Sequence, residues 1–413
     1  MAASEVRALF AVASRPEVVS LAGGMPNVSA LPLDAIATTM AELVGQRGPV
    51  ALQYGSAQGD PGLREQICQV MALEGISAHP DDVVVTVGSQ QALDLLARIF
   101  LNPGDVVVAE APTYVTAINT FAAYEADVVH VPMDADGLIP EALAETLDRL
   151  AAARRAVKFL YTVPTFQNPA GVTLDAARRG RLVEVCRRAG VLVVEDNPYG
   201  LLAFDGELHR ALRADAPADV VYLGSFSKTL APGLRVGWAL APPGVRDKLV
   251  LAAEAAMLSH SMFTQLVVDR YLATQPWDEQ LKVFREMYRD RRDAMLNSLA
   301  AEMPAGVTWT RPAGGFFVWV TLPDGIVAKT MLPRAINARV AFVPGTGFYA
   351  DGNGRSAMRL SYCYPPPDRI RTGVTRLASV VSAELDLVGV FGSTTGHPPK
   401  RHAPDAAPDV DLP

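Results

Sequence analysis

From about residue 83 the chain reads as short apolar runs separated by amphipathic stretches. The run "DVVVTVG" (82–88) is rich in valine with no polar alternation, and "SQQALDLLARIFL" (89–101) repeats its apolar positions at helical spacing. The pair recurs as "DVVVAEAP" with "TYVTAINTFAAYE", and then as the strand-like "ADVVHVPM". Further runs are "AVKFLYTVP", the helical "LDAARRGRLVEVCRRA", "GVLVVEDNPYG", "ADVVYLGSFSK" and "RVGWALAPP". Strands that are apolar throughout are buried on both faces, and strands alternating with helices form a mostly parallel sheet. Such sheets bind ligands beyond the C-terminal ends of their strands.

After about residue 276 the pattern changes. A long charged helix, "PWDEQLKVFREMYRDRRDAMLNSLAAEM", is followed by the short strands "GVTWT", "GGFFVWVTL", "VAFVPG" and "AMRLSY". This predicts a smaller α+β domain, with the N-terminal stretch packed on it. The expected division is an N-terminal segment 1–30, a large domain 31–280, a small domain 281–388 and a tail 389–413. The tail is rich in proline and small polar residues and reads as disordered.

Composition narrows the class. The chain has 413 residues, 50% hydrophobic and 20% charged, more than one compact core usually holds. Its net charge is -7 with no basic stripe, so no nucleic-acid partner is expected. No apolar run reaches the roughly 18 residues that a membrane span needs, and the N-terminus lacks the pattern of a signal peptide. Cys68, Cys186 and Cys363 form neither a pairing nor a metal pattern. A reducing cytoplasm fits this usage.

Four strand ends carry polar residues that a buried strand has no reason to hold. In "VGSQQ", Ser89 and Gln90 stand at a strand-to-helix junction, where free backbone N–H groups bind phosphate; Ser89 as a simple helix cap is the alternative. In "VPTFQNPAG", Asn168 precedes a proline, which is also an ordinary turn signal. In "VLVVEDNPYG", Glu195 and Asp196 end an apolar run. A buried carboxylate costs several kcal/mol unless paired, so a cationic partner is expected; an Asx turn or cap by Asp196 is the alternative. Tyr199 follows closely. In "YLGSFSKTLAPGLR", Ser225, Ser227 and Arg235 can hold a phosphate dianion. Lys228 stands between them in a chain with only six lysines. A partly desolvated lysine can lose its proton and attack a carbonyl; a surface loop lysine is the alternative. A phosphate site, a buried acid, an Asn/Tyr pair and a nucleophilic lysine are together what pyridoxal 5'-phosphate requires.

These residues resemble the fold-type-I pyridoxal-phosphate aminotransferases, in the branch of 2-aminoadipate, kynurenine and aromatic aminotransferases. The likeness runs from about Ser4 to residue 388. It is carried by "SFSKTLAPGLRVGW" and, in the family's order, by "LAGGMP", "LQYGSAQGDPGLR", "TVGSQQALDLL", "EAPTYVTA", "PTFQNPAG", "VVEDNPYG", "RPAGGFFVW" and "MRLSY". One departure is Ala170, where a threonine is usual.

The resemblance implies a seven-stranded, mostly parallel sheet between helices plus a smaller α+β domain. It implies Lys228 as Schiff-base lysine and proton carrier, and Asp196 as partner of the pyridinium nitrogen. Asn168 and Tyr199 would bond the ring oxygen, and Tyr114 would stack on the ring. Ser89, Gln90, Ser225, Ser227 and Arg235 would hold the phosphate, with Tyr54 reaching in from the other subunit of a homodimer. Arg359, helped by Gly24, would clamp the substrate α-carboxylate. Ser4 and Arg7 match a mobile N-terminal helix on which an arginine meets a side-chain carboxylate; a solvated arginine beside a Val6, Leu9, Phe10 stripe is the alternative. The implied reaction is transfer of an amino group from an L-amino acid to a 2-oxo acid such as 2-oxoglutarate. Two other readings share the cofactor residues. One is a lyase or cyclase on this fold. The other is a regulator carrying the fold behind a DNA-binding domain, for which a likeness starting near residue 4 leaves no room.

Overall fold

A computed structural model of the chain describes residues 15–206 and 208–392, without the side chains of 390–392. The larger sheet has the strand order β2-β9-β8-β7-β6-β3-β4-β5, and it gathers polar strand ends along one edge. Numbering starts with the short N-terminal strand β1 (Val19–Ser20), then β2 (Val83–Thr86), β3 (Val106–Ala111), β4 (Asp127–Asp134), β5 (Gly137–Leu138), β6 (Val157–Thr162), β7 (Leu192–Asp196), β8 (Val220–Ser225) and β9 (Gly237–Leu240). The pairs β8–β7, β7–β6, β6–β3 and β3–β4 are parallel. Strand β9 runs antiparallel to both β8 and β2. Two reversals restore direction, so the C-terminal ends of β2, β3, β6, β7 and β8 open on the same side.

Seven of these strands were expected. The eighth, β5, is a two-residue return from β4. The turn forms because Asp134 accepts the Asp136 amide at 2.9 Å and Gly137 takes φ +88°.

The valine runs divide their side chains between two cores. Val106 and Val108 face one cluster, under helices Pro140–Ala152 and Ala176–Arg188, while Val107 and Ala109 face another, under helices Gly88–Phe100 and Val115–Ala123. Period-two alternation between two apolar layers explains why no polar residue interrupts these strands.

The second sheet combines β10 (Thr308–Trp309), β11 (Phe317–Thr321), β13 (Val343–Pro344) and β14 (Ala357–Ser361), all antiparallel, in the order β10-β11-β14-β13. Strand β1 pairs in parallel with β12 (Val340–Ala341). Beyond β1 the chain continues along this sheet, with the Ser361 amide donating to the Leu21 carbonyl at 2.7 Å. The 26-residue helix Trp277–Glu302 packs along the final helix, Pro367–Gly392. That last helix runs past residue 388 into the stretch read as a disordered tail. Apolar Leu387 and Val388 keep its helical spacing, and Val388 packs on the core. Residues 393–413 lie outside the described residues, as do Ser4 and Arg7.

Candidate active site at the strand ends

The ends of β2, β3, β6, β7 and β8 surround a cavity of about 380 Å³. The N-terminal segment after β1 and strand β14 close it from the second sheet. Ser89, Gln90, Tyr114, Asn168, Asp196, Tyr199, Ser225, Ser227, Lys228, Arg235, Gly24 and Arg359 all line it. Twelve residues expected at the site are therefore brought together from segments up to 335 residues apart (359 − 24).

Lys228 follows β8 by three positions. Its Nζ donates to the Gly24 carbonyl at 3.1 Å and lies 5.8 Å from the Phe316 ring centre. Burial lowers the pKa of this ammonium, and the guanidinium charges of Arg359 and Arg235 lower it further against the opposing pull of Cys363 and Asp196. This is a half-buried, destabilised ammonium, not a surface loop lysine. A Cβ at Gly24 would stand 2.9 Å from the tip of the Phe317 ring, so the glycine leaves room for that ring.

Asp196 ends β7 and is buried. Its Oδ2 accepts the Tyr161 hydroxyl at 2.7 Å, while its Oδ1 is buried with no hydrogen-bond partner among the described residues. Burial raises its pKa to about 6, opposed by the Tyr161 bond and the Lys228 charge. A carboxylate with one oxygen anchored and one unmet in a cavity is suited to a cation placed there. The alternative of a turn or cap by Asp196 does not hold. Glu195 takes that role: its two oxygens accept the Leu212 and Arg213 amides, each at 2.9 Å.

The same cavity holds a cradle of donors. Helix Gly88–Phe100 begins after Val87, and no side chain caps its N-terminus. Ser89 is thus the second helical residue and not the cap. Ser225 Oγ and Ser227 Oγ lie 2.9 Å apart, and Arg235 reaches Ser227 Oγ at 3.4 Å and the Val87 carbonyl at 3.0 Å. A helix N-terminus, two hydroxyls and a guanidinium make a site for a phosphate dianion. Gly88, at φ +70°, makes room: a Cβ would meet the Arg235 guanidinium at 2.5 Å. Gln90 turns its amide to Thr120 Oγ1 at 2.8 Å.

Arg359, on β14, is held on four sides. Its Nη1 donates to Asn168 Oδ1 at 2.9 Å and its Nη2 to the Ala22 carbonyl at 2.8 Å. Its guanidinium carbon lies 4.1 Å from the centre of the Phe317 ring and 5.0 Å from that of Phe348. Burial pushes its pKa down to about 10. Nε is buried with no partner among the described residues. The bond from Arg359 occupies the acceptor of Asn168 and leaves its two N–H donors for an oxygen in the cavity. Tyr199 lies beside it, buried edge-on against Phe316 and Phe317. Tyr114 starts helix Val115–Ala123 at its N-cap position.

Tyr54 does not line this cavity; it is 76% exposed on the protomer. Sequence reasoning missed Tyr161, which holds Asp196, and Cys363, whose Sγ meets the Met25 carbonyl at 3.1 Å and steadies the segment around Gly24. A lone tyrosine in an aliphatic strand was the available signal, since a buried hydroxyl requires a partner.

The fold and site define an α/β transferase of fold type I. The family model for aminotransferase class I and II matches residues 16–377, so the chain belongs to that family and is an aminotransferase. It is 42% identical to the aromatic-amino-acid aminotransferase 1 of Thermococcus litoralis over 387 residues, covering 93% of each chain. Among solved structures it superposes on a kynurenine aminotransferase of Pyrococcus horikoshii with a TM-score of 0.89 at 44% identity, covering 93% of this chain and 96% of that one. An alpha-aminoadipate aminotransferase of Thermus thermophilus, complexed with N-(5'-phosphopyridoxyl)-L-leucine, gives 0.86 at 38% identity, covering 94% and 96%.

Among the described residues no helix is long and apolar enough to cross a membrane. Nor do they hold any group of three or more His, Cys, Asp or Glu placed to bind a metal ion.

Proposed function

We propose that the protein transfers the amino group of an L-amino acid to a 2-oxo acid using pyridoxal 5'-phosphate carried on Lys228. The donors are 2-aminoadipate, glutamate, aromatic or branched-chain amino acids, and the acceptor is 2-oxoglutarate. The observation that carries this is the buried, unmet Oδ1 of Asp196 in the same cavity as the desolvated Lys228 amine. The residues present fit the cofactor at each end: a dianion cradle at Ser225, Ser227, Arg235 and the helix start, and an acid for a ring nitrogen at Asp196. When bound, the cofactor supplies an aldehyde and an electron-withdrawing ring that stabilises negative charge at the substrate α-carbon.

The chain's own residues supply the rest. Asp196, fixed by Tyr161, keeps a negative charge beside the ring nitrogen. Asn168 and Tyr199 would offer donors to a ring oxygen, and Tyr114 would lie against the ring. Lys228 Nζ, its ammonium destabilised by burial, takes the α-proton and returns it. Arg359 holds the α-carboxylate in a fixed plane. Tyr114, Val115, Val163 and Phe317 supply the apolar part of the wall.

Arg359→Lys should raise KM for every amino acid roughly ten- to hundredfold, the loss of a charge-assisted bidentate contact. Steady-state kinetics with a glutamate, leucine and phenylalanine panel measure this. An effect confined to one side-chain class would place Arg359 at the far end of the substrate.

The acidic-substrate reading rests on Arg7. Arg7→Ala should raise KM for glutamate, 2-aminoadipate and 2-oxoglutarate by a free energy of about 1.5–3 kcal/mol, and leave phenylalanine little changed. Half-reaction kcat/KM values for glutamate and phenylalanine decide it; equal losses would reduce Arg7 to a structural residue.

A homodimer with shared sites belongs to the same proposal. The apolar side chains of Leu33, Val44, Val50, Leu52, Met257 and Leu258 are exposed on the protomer. The Gly55 amide donates to Ser259 Oγ at 3.3 Å, which ties the segment of Leu52 and Tyr54 to that of Met257 and Leu258. Exposed apolar side chains of this kind support an interface, through which Tyr54 would enter a partner's cavity. The division into 31–280 and 281–388, with 1–30 joining the smaller part, is also part of the proposal, as is a cytoplasmic location.

Incubation with pyridoxal phosphate, a candidate amino acid and 2-oxoglutarate tests the function. The reading expects stoichiometric glutamate and the cognate 2-oxo acid. Ammonia or a cyclised product without glutamate would contradict it.

A further inference from the structure

The two sheets meet beside the cavity, and one imidazole bridges them. His130 lies in the middle of β4. Its Nδ1 stands 2.8 Å from the Glu110 carbonyl oxygen of β3, and its Nε2 accepts the Ala350 amide N–H at 2.9 Å. A carbonyl only accepts and an amide N–H only donates, so Nδ1 carries the proton and Nε2 is the acceptor. Both ring nitrogens are engaged.

Ala350 belongs to the loop between β13 and β14, which begins with the turn Gly345–Phe348. Both ends of this loop belong to the smaller sheet. Gly345 packs so closely that a Cβ would lie 2.4 Å from the Gly354 carbonyl oxygen, and the Ala357 amide donates to that carbonyl at 3.1 Å. The middle of the loop is tied instead to the larger sheet. One tie is His130 to Ala350. Another runs from the Thr113 amide to the Phe348 carbonyl, 3.0 Å, immediately before Tyr114. Between these ties the Tyr349 ring rests 5.7 Å from the imidazole, tilted by 60°. Phe348 is wholly buried, edge-on to Trp319 at 5.6 Å and facing the Arg359 guanidinium at 5.0 Å.

We propose that His130 is a positioning residue for the carboxylate clamp: by accepting from Ala350 it holds residues 345–351 against the larger sheet and so keeps Phe348 on Arg359. This rests on Arg359 being that clamp. Loss of the Nε2 acceptor leaves the Ala350 N–H without its partner and the Thr113–Phe348 bond as the remaining one of the two ties. Phe348 is then held less firmly against Arg359, whose plane is less fixed. Lys228 and Asp196 are untouched, so substrate binding suffers and the proton transfer does not.

Two conservative substitutions separate the bonds. In His130→Asn the amide reaches the Nδ1 position and can still donate to Glu110, but it falls short of Ala350. In His130→Gln the amide oxygen reaches the Nε2 position and can still accept from Ala350. The holoenzyme of His130→Asn should show KM for its amino-acid substrate raised roughly three- to tenfold, with kcat within about twofold of wild type, the signature of lost binding alone. His130→Gln should restore KM. Residue-resolved hydrogen exchange supplies a readout independent of turnover: the Ala350 amide should exchange faster in His130→Asn and stay protected in His130→Gln, with both variants melting near wild type. Equal KM and equal exchange in the two variants would overturn the proposal. Faster exchange at Ala350 with unchanged KM would overturn the link from the loop to Arg359. If Arg359 itself is not the clamp, Arg359→Lys reports that separately, without altering exchange at Ala350.

Discussion

Lys228→Ala should abolish turnover while leaving the protein folded. Loss of proton transfer alone accounts for about 10²–10⁴-fold, and loss of covalent attachment removes more. The fold should tolerate the change. Burial destabilises the Lys228 ammonium, so its removal relieves a desolvation cost at the expense of the one hydrogen bond to the Gly24 carbonyl. The melting temperature should therefore match or exceed that of the wild-type apoprotein. Pyridoxal phosphate should still bind through its phosphate, but its visible absorbance should lose the pH-dependent band that requires the lysine. Near-wild-type turnover would exclude Lys228 as the catalytic lysine.

Asp196→Asn should separate function from stability in opposite directions. An amide cannot hold a positive charge on the ring nitrogen, so kcat should fall roughly 10²–10³-fold, the scale for losing one preorganised electrostatic group. The apoprotein should become more stable at neutral pH. Burial raises the folded pKa of Asp196 from its ordinary 3.8 to about 6. The folded apoprotein therefore keeps a proton that the unfolded chain has already released between those values. Stability from this group is present below the unfolded pKa and is lost as pH rises through the folded one, a swing on the order of 3 kcal/mol. Asparagine does not titrate and still accepts from the Tyr161 hydroxyl. Its apoprotein should melt above wild type at pH 8, with the advantage gone near pH 4. Glu74, buried against Tyr222 and Asn197 with its pKa raised to about 7, adds the same slope to both proteins and cancels in the comparison. Full activity in Asp196→Asn would make the acid structural.

The cofactor end of the site was legible because buried strands tolerate no polar residue without a reason. Asp196 and Ser225 end valine- or leucine-rich strands, Lys228 and Asn168 follow such strands by three and six residues, and all of them line the same cavity. Gly24 and Arg359 were reached only through the resemblance. Nothing local in "LAGGMP" or "MRLSY" says that Lys228 will bond the Gly24 carbonyl or that Arg359 will meet Asn168, because those contacts depend on two sheets folding against each other. Tyr161 was missed because "KFLYT" scores as an ordinary strand; its hydroxyl acquires meaning only when β7 is placed beside β6. Glu195 and Asp196 looked alike in sequence. Opposite-facing side chains on one strand send Glu195 to the start of helix Leu212–Asp215 and Asp196 to the cavity. The Ser89 cap reading failed for a backbone reason: Gly88 takes φ +70° and starts the helix one residue before Ser89.

The central claim is that Lys228 carries the cofactor. Borohydride reduction of the protein loaded with pyridoxal phosphate, followed by proteolysis and peptide mass mapping, tests it most directly. The account predicts a phosphopyridoxyl group on the peptide containing Lys228, and none on that peptide when a saturating amino-acid substrate is added before reduction. A label on another lysine, or no stable label in a protein that transaminates, would contradict it.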